Sequence, residues 1–169
     1  MKKNKEVNKG DLLTFKAADG KYKALLCTSV YKDKSPHNFS FAVLTYDSIE
    51  KPTFEKILEG EFFGIGNRYS CFAYSDNEVE RMWTLHPEIN PYHLGSYGLI
   101  IWRKEFVKFR DNIEIIGNIE IIDHLDKNGN GGMNGSDWNF LQDFFNEKFK
   151  TILPDRGQKV FKIKAILRD

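Results

Sequence analysis

Alternating apolar and polar positions open the chain and predict a β-hairpin. The run 11–18 alternates in this way, and the dipeptide Asp19-Gly20 follows it. This dipeptide favours two-residue hairpin turns because both positions tolerate a positive φ. The alternation resumes after the turn. The residues that share one face of each predicted strand are Leu13, Phe15 and Ala17, then Tyr22, Ala24, Leu26 and Val30.

Later apolar runs predict more strands and a late helix. The predicted strands are 39–46, 62–65, 69–74, 97–102, 106–109, 113–116, 119–122 and 159–167. A short helix is expected over 53–58, after Pro52. A longer helix is expected from Trp138, with Ser136 as its N-cap and Asp137 in its first turn. Its apolar positions recur at helical spacing, at Trp138, Leu141, Phe144, Phe145 and Phe149.

The order of these elements predicts the fold class. Regular alternation of strands and helices is missing from the sequence, so a mainly antiparallel sheet is expected. We predict a single α+β domain over 10–169, with a curled sheet, one C-terminal helix and a final strand after it. Residues 1–9 form a polar lead-in, and 76–97 is the least regular long stretch.

Composition narrows the classes of function. The chain has 169 residues, of which 41% are hydrophobic and 29% are charged, and its formal net charge is +1. Such a weak net charge favours neither nucleic acid nor an anionic membrane as a partner. Cys27 and Cys71 are too few for a disulfide framework, and Cys27 is expected to be a buried thiol. We expect a cytoplasmic protein without a membrane span; the oligomeric state stays open.

The segment from Asp126 to Asp137 matches the spacing of a calcium loop. Its oxygen-bearing side chains at ligand positions are Asp126, Asn128, Asn130, Asn134 and Asp137, with Gly131 at the sharp turn. Two carboxylates are few for calcium, and the preceding β-branched residues favour strands over the entering helix of an EF-hand. We therefore expect a structural loop without a cofactor. A weak calcium site is the alternative.

Catalytic signatures are sparse. The chain lacks a Gly-x-Ser-x-Gly elbow and a phosphate-binding glycine loop with its lysine. We assign no catalytic residue. A small hydrolase or transferase is the alternative, and it would require His86, His93 or Cys71 to converge in one pocket.

Two short motifs carry a family resemblance. They are Lys9-Gly-Asp-Leu-Leu-Thr-Phe15 and Asp19-Gly-Lys-Tyr-Lys-Ala24, within about the first fifth of the chain. They resemble the opening of bacterial immunity proteins from polymorphic toxin systems, specifically the family known as immunity protein twenty-six. The resemblance implies a small cytosolic α+β protein that neutralises a cognate toxin by binding it.

The expected function is therefore binding to a protein partner, and the resemblance implies that this partner is a toxin domain. Aromatic residues are enriched at the energetic centres of protein interfaces. The irregular stretch 76–97 concentrates such residues, so the expected contact residues are Trp83, His86, Tyr92, His93 and Tyr97. Packing of the same aromatics in the core is the alternative.

Overall fold

The computed structural model describes residues 6–32, 36–67, 74–129 and 131–168. Its strands are β1 (Asp11–Lys16), β2 (Tyr22–Lys32), β3 (Pro36–Val43), β4 (Glu61–Asn67), β5 (His93–Ser96), β6 (Gly98–Trp102), β7 (Ile113–Asn118), β8 (Gly132–Asn134) and β9 (Lys159–Lys162). Its α-helices are α1 (Phe54–Leu58), α2 (Asp76–Leu85), α3 (Arg103–Phe109), α4 (Trp138–Asp143) and α5 (Phe149–Asp155). A π-helical turn, Phe144–Lys148, joins α4 to α5.

Two sheets form the framework and confirm the predicted α+β class. The larger sheet has six strands in the order β7-β1-β2-β3-β6-β8, and the smaller has three in the order β5-β4-β9. All pairings are antiparallel except that of β6 with β8, which is parallel. The prediction of a mainly antiparallel architecture is confirmed, although the strands divide between two sheets.

The predicted opening hairpin is confirmed, but its turn is longer than the predicted two-residue type: the backbone N–H of Ala17 donates to the carbonyl of Lys21, so Ala18, Asp19 and Gly20 form the connection. Gly20 has a φ of +79°, which an L residue rarely adopts. The Asp19 carboxylate accepts a hydrogen bond from the backbone N–H of Lys21, at 3.0 Å. β1 and β2 then pair in the register Phe15 with Lys23 and Leu13 with Leu25.

The six-stranded sheet is buried on both faces over much of its area. One face packs against α3 and the α4–α5 helix; its sheet residues include Leu13, Phe15, Leu25, Cys27, Phe39, Phe41, Leu99 and Ile101. The opposite face supplies Leu12, Ala24, Leu26, Ala42 and Leu44 to a second core shared with β4, β9 and α2. Cys27 is fully buried, as predicted.

Several predicted elements differ from the structure. The predicted strand 106–109 is wrong, because these residues belong to α3. The predicted strand 119–122 contributes only an isolated bridge, between Ile121 and Leu167, and the final strand ends at Lys162, where the 3₁₀ turn Ile163–Ile166 begins. Residues 76–85 are helical where irregular chain was expected.

The termini and cap residues require further corrections. The lead-in is less polar than expected, since Val7 is buried in the core. Asp137, rather than Ser136, is the N-cap of α4. The predicted strand 69–74 falls almost entirely outside the described residues.

Candidate functional site

Three of the predicted contact residues come together beside α2. A capping box fixes the start of this helix: Ser75 Oγ accepts from the N–H of Glu78, and the Glu78 carboxylate accepts from the N–H of Ser75. The Trp83 indole N–H, on this helix, donates to the carbonyl of Tyr92 at 2.9 Å. The ring of His93 stacks against Trp83 with a centroid distance of 6.3 Å. Trp83, Tyr92 and His93 are all half-buried.

A shallow cleft of about 560 Å³ lies over this aromatic cluster. It is lined by Asp76, Val79, Glu80, Trp83, Thr84 and His93. Burial lowers the pKa of His93, so its imidazole is neutral at pH 7. The His93 Nδ1 atom is buried and lacks a hydrogen-bond partner among the described residues. The cleft therefore presents acidic and aromatic groups together with a neutral imidazole.

The other two predicted contact residues lie inside the molecule, which corrects that prediction. Tyr97 is 1% exposed, and its hydroxyl accepts a hydrogen bond from the Arg156 guanidinium at 2.5 Å. His86 is 8% exposed, and its Nε2 accepts from the backbone N–H of Lys162 at 3.0 Å. Both side chains stabilise the fold and cannot reach a partner in this conformation.

The surroundings of His86 and His93 do not support the alternative hypothesis of a hydrolase or transferase. Because His86 Nε2 accepts a hydrogen bond, the ring proton lies on Nδ1, which faces the Glu88 carboxylate at 3.0 Å. His86 packs edge-on against Phe161, whereas His93 packs against Trp83. Each imidazole thus has its own surroundings. Cys71 lies outside the described residues.

The first half of the calcium-like segment is used in packing. The amide of Asn128 is buried, and its Nδ2 donates to the carbonyls of His93 and Leu94, each at 3.0 Å. Asp126 Oδ2 accepts from the Ser29 hydroxyl at 2.9 Å. The segment is therefore joined to β5 and β2 by its own side chains.

The second half of that segment supports α4. Asn134 Oδ1 accepts from the N–H of Ser136 at 2.9 Å, and Asp137 Oδ1 caps α4 by accepting from the N–H groups of Asn139 and Phe140. Asn130 lies outside the described residues. Across 6–32, 36–67, 74–129 and 131–168, no group of three or more His, Cys, Asp or Glu side chains is arranged to hold a metal ion.

Sequence reasoning missed an exposed apolar patch on the six-stranded sheet. Trp102 of β6, Asn38 of β3 and Tyr31 of β2 form one cross-strand row, and Ile100 lies two residues before Trp102. Tyr31 is 61% exposed, Trp102 43% and Ile100 39%. We call Tyr31, Ile100 and Trp102 the sheet patch. The sequence could have indicated the exposed face of β6. Ile100 and Trp102 alternate along this strand with Leu99 and Ile101, which lie on the buried face.

A second cleft adjoins the sheet patch. It has a volume of about 450 Å³ and is lined by His37, Trp102, Arg103, Lys104 and Glu105. The His37 ring lies 5.9 Å from the ring of Tyr31, between centroids. The cleft thus combines an aromatic wall with basic side chains at the beginning of α3. We call it the Trp102 cleft.

A third cleft, of about 570 Å³, follows β1 and β7. Its polar walls include Lys16, Tyr22, Lys51, Arg110, Asp111 and Glu114. Several of these groups already contact one another: Lys51 forms an ion pair with Glu114, and the Lys16 ammonium lies 5.8 Å from the Tyr22 ring centroid. These internal contacts satisfy much of the charge that the cleft presents.

Comparison of the chain with protein-family models, with curated proteins and with solved structures gave no match. Among the described residues, no helix has both the length and the apolar character needed to cross a membrane.

Proposed function

We propose that this protein is a non-enzymatic binding module, and specifically an immunity-type inhibitor that neutralises a cognate toxin by covering it. The sheet patch carries the proposal. Tyr31, Ile100 and Trp102 expose 61%, 39% and 43% of their surface, although the same strands bury their other faces completely in places. Several large apolar side chains left in water on one face of a sheet are typical of an interaction surface.

The patch also has the rigidity that a binding surface needs. β3 is paired on both sides, with β2 and with β6. Behind the patch, Phe39 and Ile101 are buried against Phe106 of α3. A rigid platform loses little conformational entropy on binding, so more of the contact energy appears as affinity. Tryptophan and tyrosine are the residues most enriched at interface hot spots.

In the two motifs that carry the family resemblance, the residues stabilise the sheet and do not belong to the sheet patch. Gly10 has a φ of +90°, and a side chain there would overlap the carbonyl of Ile119. The Asp11 carboxylate accepts from the backbone N–H of Asn8 at 2.7 Å and from the Asn118 amide at 2.8 Å. The resemblance therefore concerns how the sheet begins. It supports the proposal only through these two motifs.

Neutralisation of the protein encoded directly upstream of this chain tests the proposal. Cells that express this upstream protein as a toxin should survive when the wild-type chain is co-expressed. The double variant Tyr31→Ala, Trp102→Ala should fail to protect them, because it removes the aromatic part of the patch. The double variant must be shown to fold, by circular dichroism and thermal melting.

Matched controls separate the patch from exposed apolar residues in general. Phe140 is 43% exposed, like Trp102, and Val160 is 38% exposed, close to Ile100. Phe140→Ala and Val160→Ala should protect as well as the wild type. Protection by the folded double variant would place the contact elsewhere, and a wild-type chain that neither binds nor protects would overturn the proposed function.

A further inference from the structure

We propose that the Trp102 cleft receives a carboxylate side chain of the partner, so that the partner surface is acidic around an apolar centre. This inference rests on the proposed function, because it names the chemistry of the partner at that surface. It starts from the composition of the segment that follows the sheet patch.

Positive charge is concentrated next to the patch. From Ile100 to the end of α3 at Phe109, the basic residues are Arg103, Lys104 and Lys108, and the single acid is Glu105. The whole chain has a net charge of only +1. The basic residues beside the patch are thus a local feature, and oppositely charged surfaces are what complementary interfaces pair.

Of the two cationic side chains that line the cleft, Arg103 and Lys104, only Arg103 forms an ion pair within the described part of the chain. Arg103 Nη2 lies 2.8 Å from Glu6 Oε1, and Lys108 Nζ lies 2.9 Å from Glu105 Oε2. Both carboxylates near the cleft are therefore already paired. Lys104 is exposed and forms no ion pair within the described part of the chain. Its ammonium is available to a carboxylate from outside.

Trp102 explains why such a contact would be strong. A partner carboxylate beside Lys104 would lie against the indole wall of the cleft, where the bound partner itself would shield the ion pair from water. A charge-assisted hydrogen bond is stronger when water is kept away from it. The neighbouring Ile100 and Tyr31 would bury apolar side chains of the same partner. The aliphatic side chain of Ile100 beside the aromatic Trp102 favours protein over single-stranded nucleic acid, which is bound by aromatic stacking along a basic groove.

Selection from a random peptide library displayed on phage tests the inference without the toxin. Peptides are enriched on the wild-type protein. We expect the enriched sequences to carry Asp or Glu beside Leu, Phe or Trp. Trp102→Ala and Lys104→Glu should each weaken their binding by roughly tenfold or more, which corresponds to about 1.4 kcal/mol. Lys164→Glu, on an exposed lysine elsewhere in the chain, should leave binding unchanged.

Salt supplies a second readout. The affinity of the acidic peptides should fall between about 0.05 and 0.5 M NaCl for the wild type, since exposed charges are screened over this range. Lys104→Glu places a like charge beside the acidic peptide, so the residual affinity of this variant should rise with salt rather than fall, because salt screens the repulsion. A wild-type affinity that does not change with salt would count against an ion pair at the cleft.

The remaining outcomes overturn the inference. Enriched peptides that need Trp102 but carry no acid would overturn the carboxylate contact while leaving the proposed function standing. Failure to enrich any peptide that depends on Trp102 would also overturn it, and toxin neutralisation would then judge the proposed function separately. If fluorescein-labelled oligouridine bound more tightly than the acidic peptides and its binding depended on Trp102, the surface would be a nucleic-acid site instead.

Discussion

The ammonium group of Lys23 and the carboxylate of Asp47 form an ion pair inside the fold. Lys23 is fully buried, and its Nζ also lies 2.8 Å from Asp19 Oδ2 and 5.3 Å from the centroid of the Phe149 ring. Lys150 pairs with the other oxygen of Asp47 at 2.7 Å. The network joins the opening hairpin to the segment after β3 and to α5. Lys23 belongs to the second of the two motifs that carry the family resemblance.

We predict that Lys23→Met strongly destabilises the protein. The substitution removes the cation shared by Asp19 and Asp47, and breaking a buried ion pair typically costs about 3–5 kcal/mol because the remaining charge is left without its partner. Urea unfolding followed by circular dichroism measures the change. Lys21→Met, on a half-buried lysine of the same turn, is the control and should cost far less. Equal stability of the two variants would contradict a structural role for the network.

Acid should weaken the same network. Burial raises the pKa of Asp47, but hydrogen bonds from Lys150 and Lys23, together with their charges, outweigh burial and lower it below its ordinary value. The carboxylate therefore stabilises the fold fully above its pKa in the unfolded chain, about 4. That stabilisation is lost as the pH falls through the lower pKa of the folded state.

The measurement compares wild type with Asp47→Asn. The difference between their unfolding free energies should be largest near neutral pH and should shrink below about pH 4. Asp143→Asn is the control, because Asp143 pairs with Lys148 on the surface, where ion pairs contribute little. A difference that stays constant down to acid unfolding would show that the charge of Asp47 does not stabilise the fold.

Local patterns in the sequence predicted the elements that local forces determine. The hairpin at Asp19-Gly20 follows from alternation and from the positive φ of Gly20. The predicted face of its second strand does not hold, because Leu13 pairs with Leu25, whereas Ala24 and Leu26 enter the opposite core. Two helices were missed although their signals were present. The capping box of Ser75 and Glu78 marks the start of α2, and Phe106 and Phe109 have the i, i+3 spacing of a helix as well as fitting a short apolar run.

Long-range contacts determined what no pattern could show. Asn128 has the spacing of a metal ligand, but its amide binds the carbonyls of β5, which lie over thirty positions earlier in the chain. Tyr97 and Trp102 are aromatic residues of similar sequence context, yet one is 1% and the other 43% exposed. Tyr97 is buried because it packs into the core beneath the helices and its hydroxyl meets Arg156, which lies far away in the sequence.

We predict that millimolar calcium does not change the melting temperature. The oxygens Asn134 Oδ1 and Asp137 Oδ1 already accept hydrogen bonds from backbone N–H groups, so an ion bound through them would compete with these bonds. Differential scanning fluorimetry with calcium and with a chelator measures this. A clear rise in melting temperature that Asp126→Ala abolishes would instead establish a calcium site, since a ligand that binds only the folded state stabilises it.

Cys27 should be unreactive in the folded protein. Burial, reinforced by the negative charge of Asp11, raises the pKa of its thiol far above the ordinary value, and the thiolate is the reactive form. In a Cys71→Ser background, Ellman's reagent at pH 8 should label Cys27 only after unfolding in guanidinium. Rapid labelling of the native protein would show that the β2 region opens readily.

We predict that Gly95→Ala destabilises the fold through its contact with the 126–129 turn. A methyl group at Gly95 would overlap the carbonyl oxygen of Asn128, which lies on backbone that cannot move away alone. Overpacking of this kind typically costs about 1–3 kcal/mol. Gly98→Ala is the matched control on β6, because its added methyl group would meet only Ser40 Oγ at 3.8 Å and Gly131 O at 3.9 Å. Thermal melting should show a clear loss for Gly95→Ala and little change for Gly98→Ala. If both variants melt like the wild type, the turn does not pack against β5 as closely as its hydrogen bonds to His93 and Leu94 require.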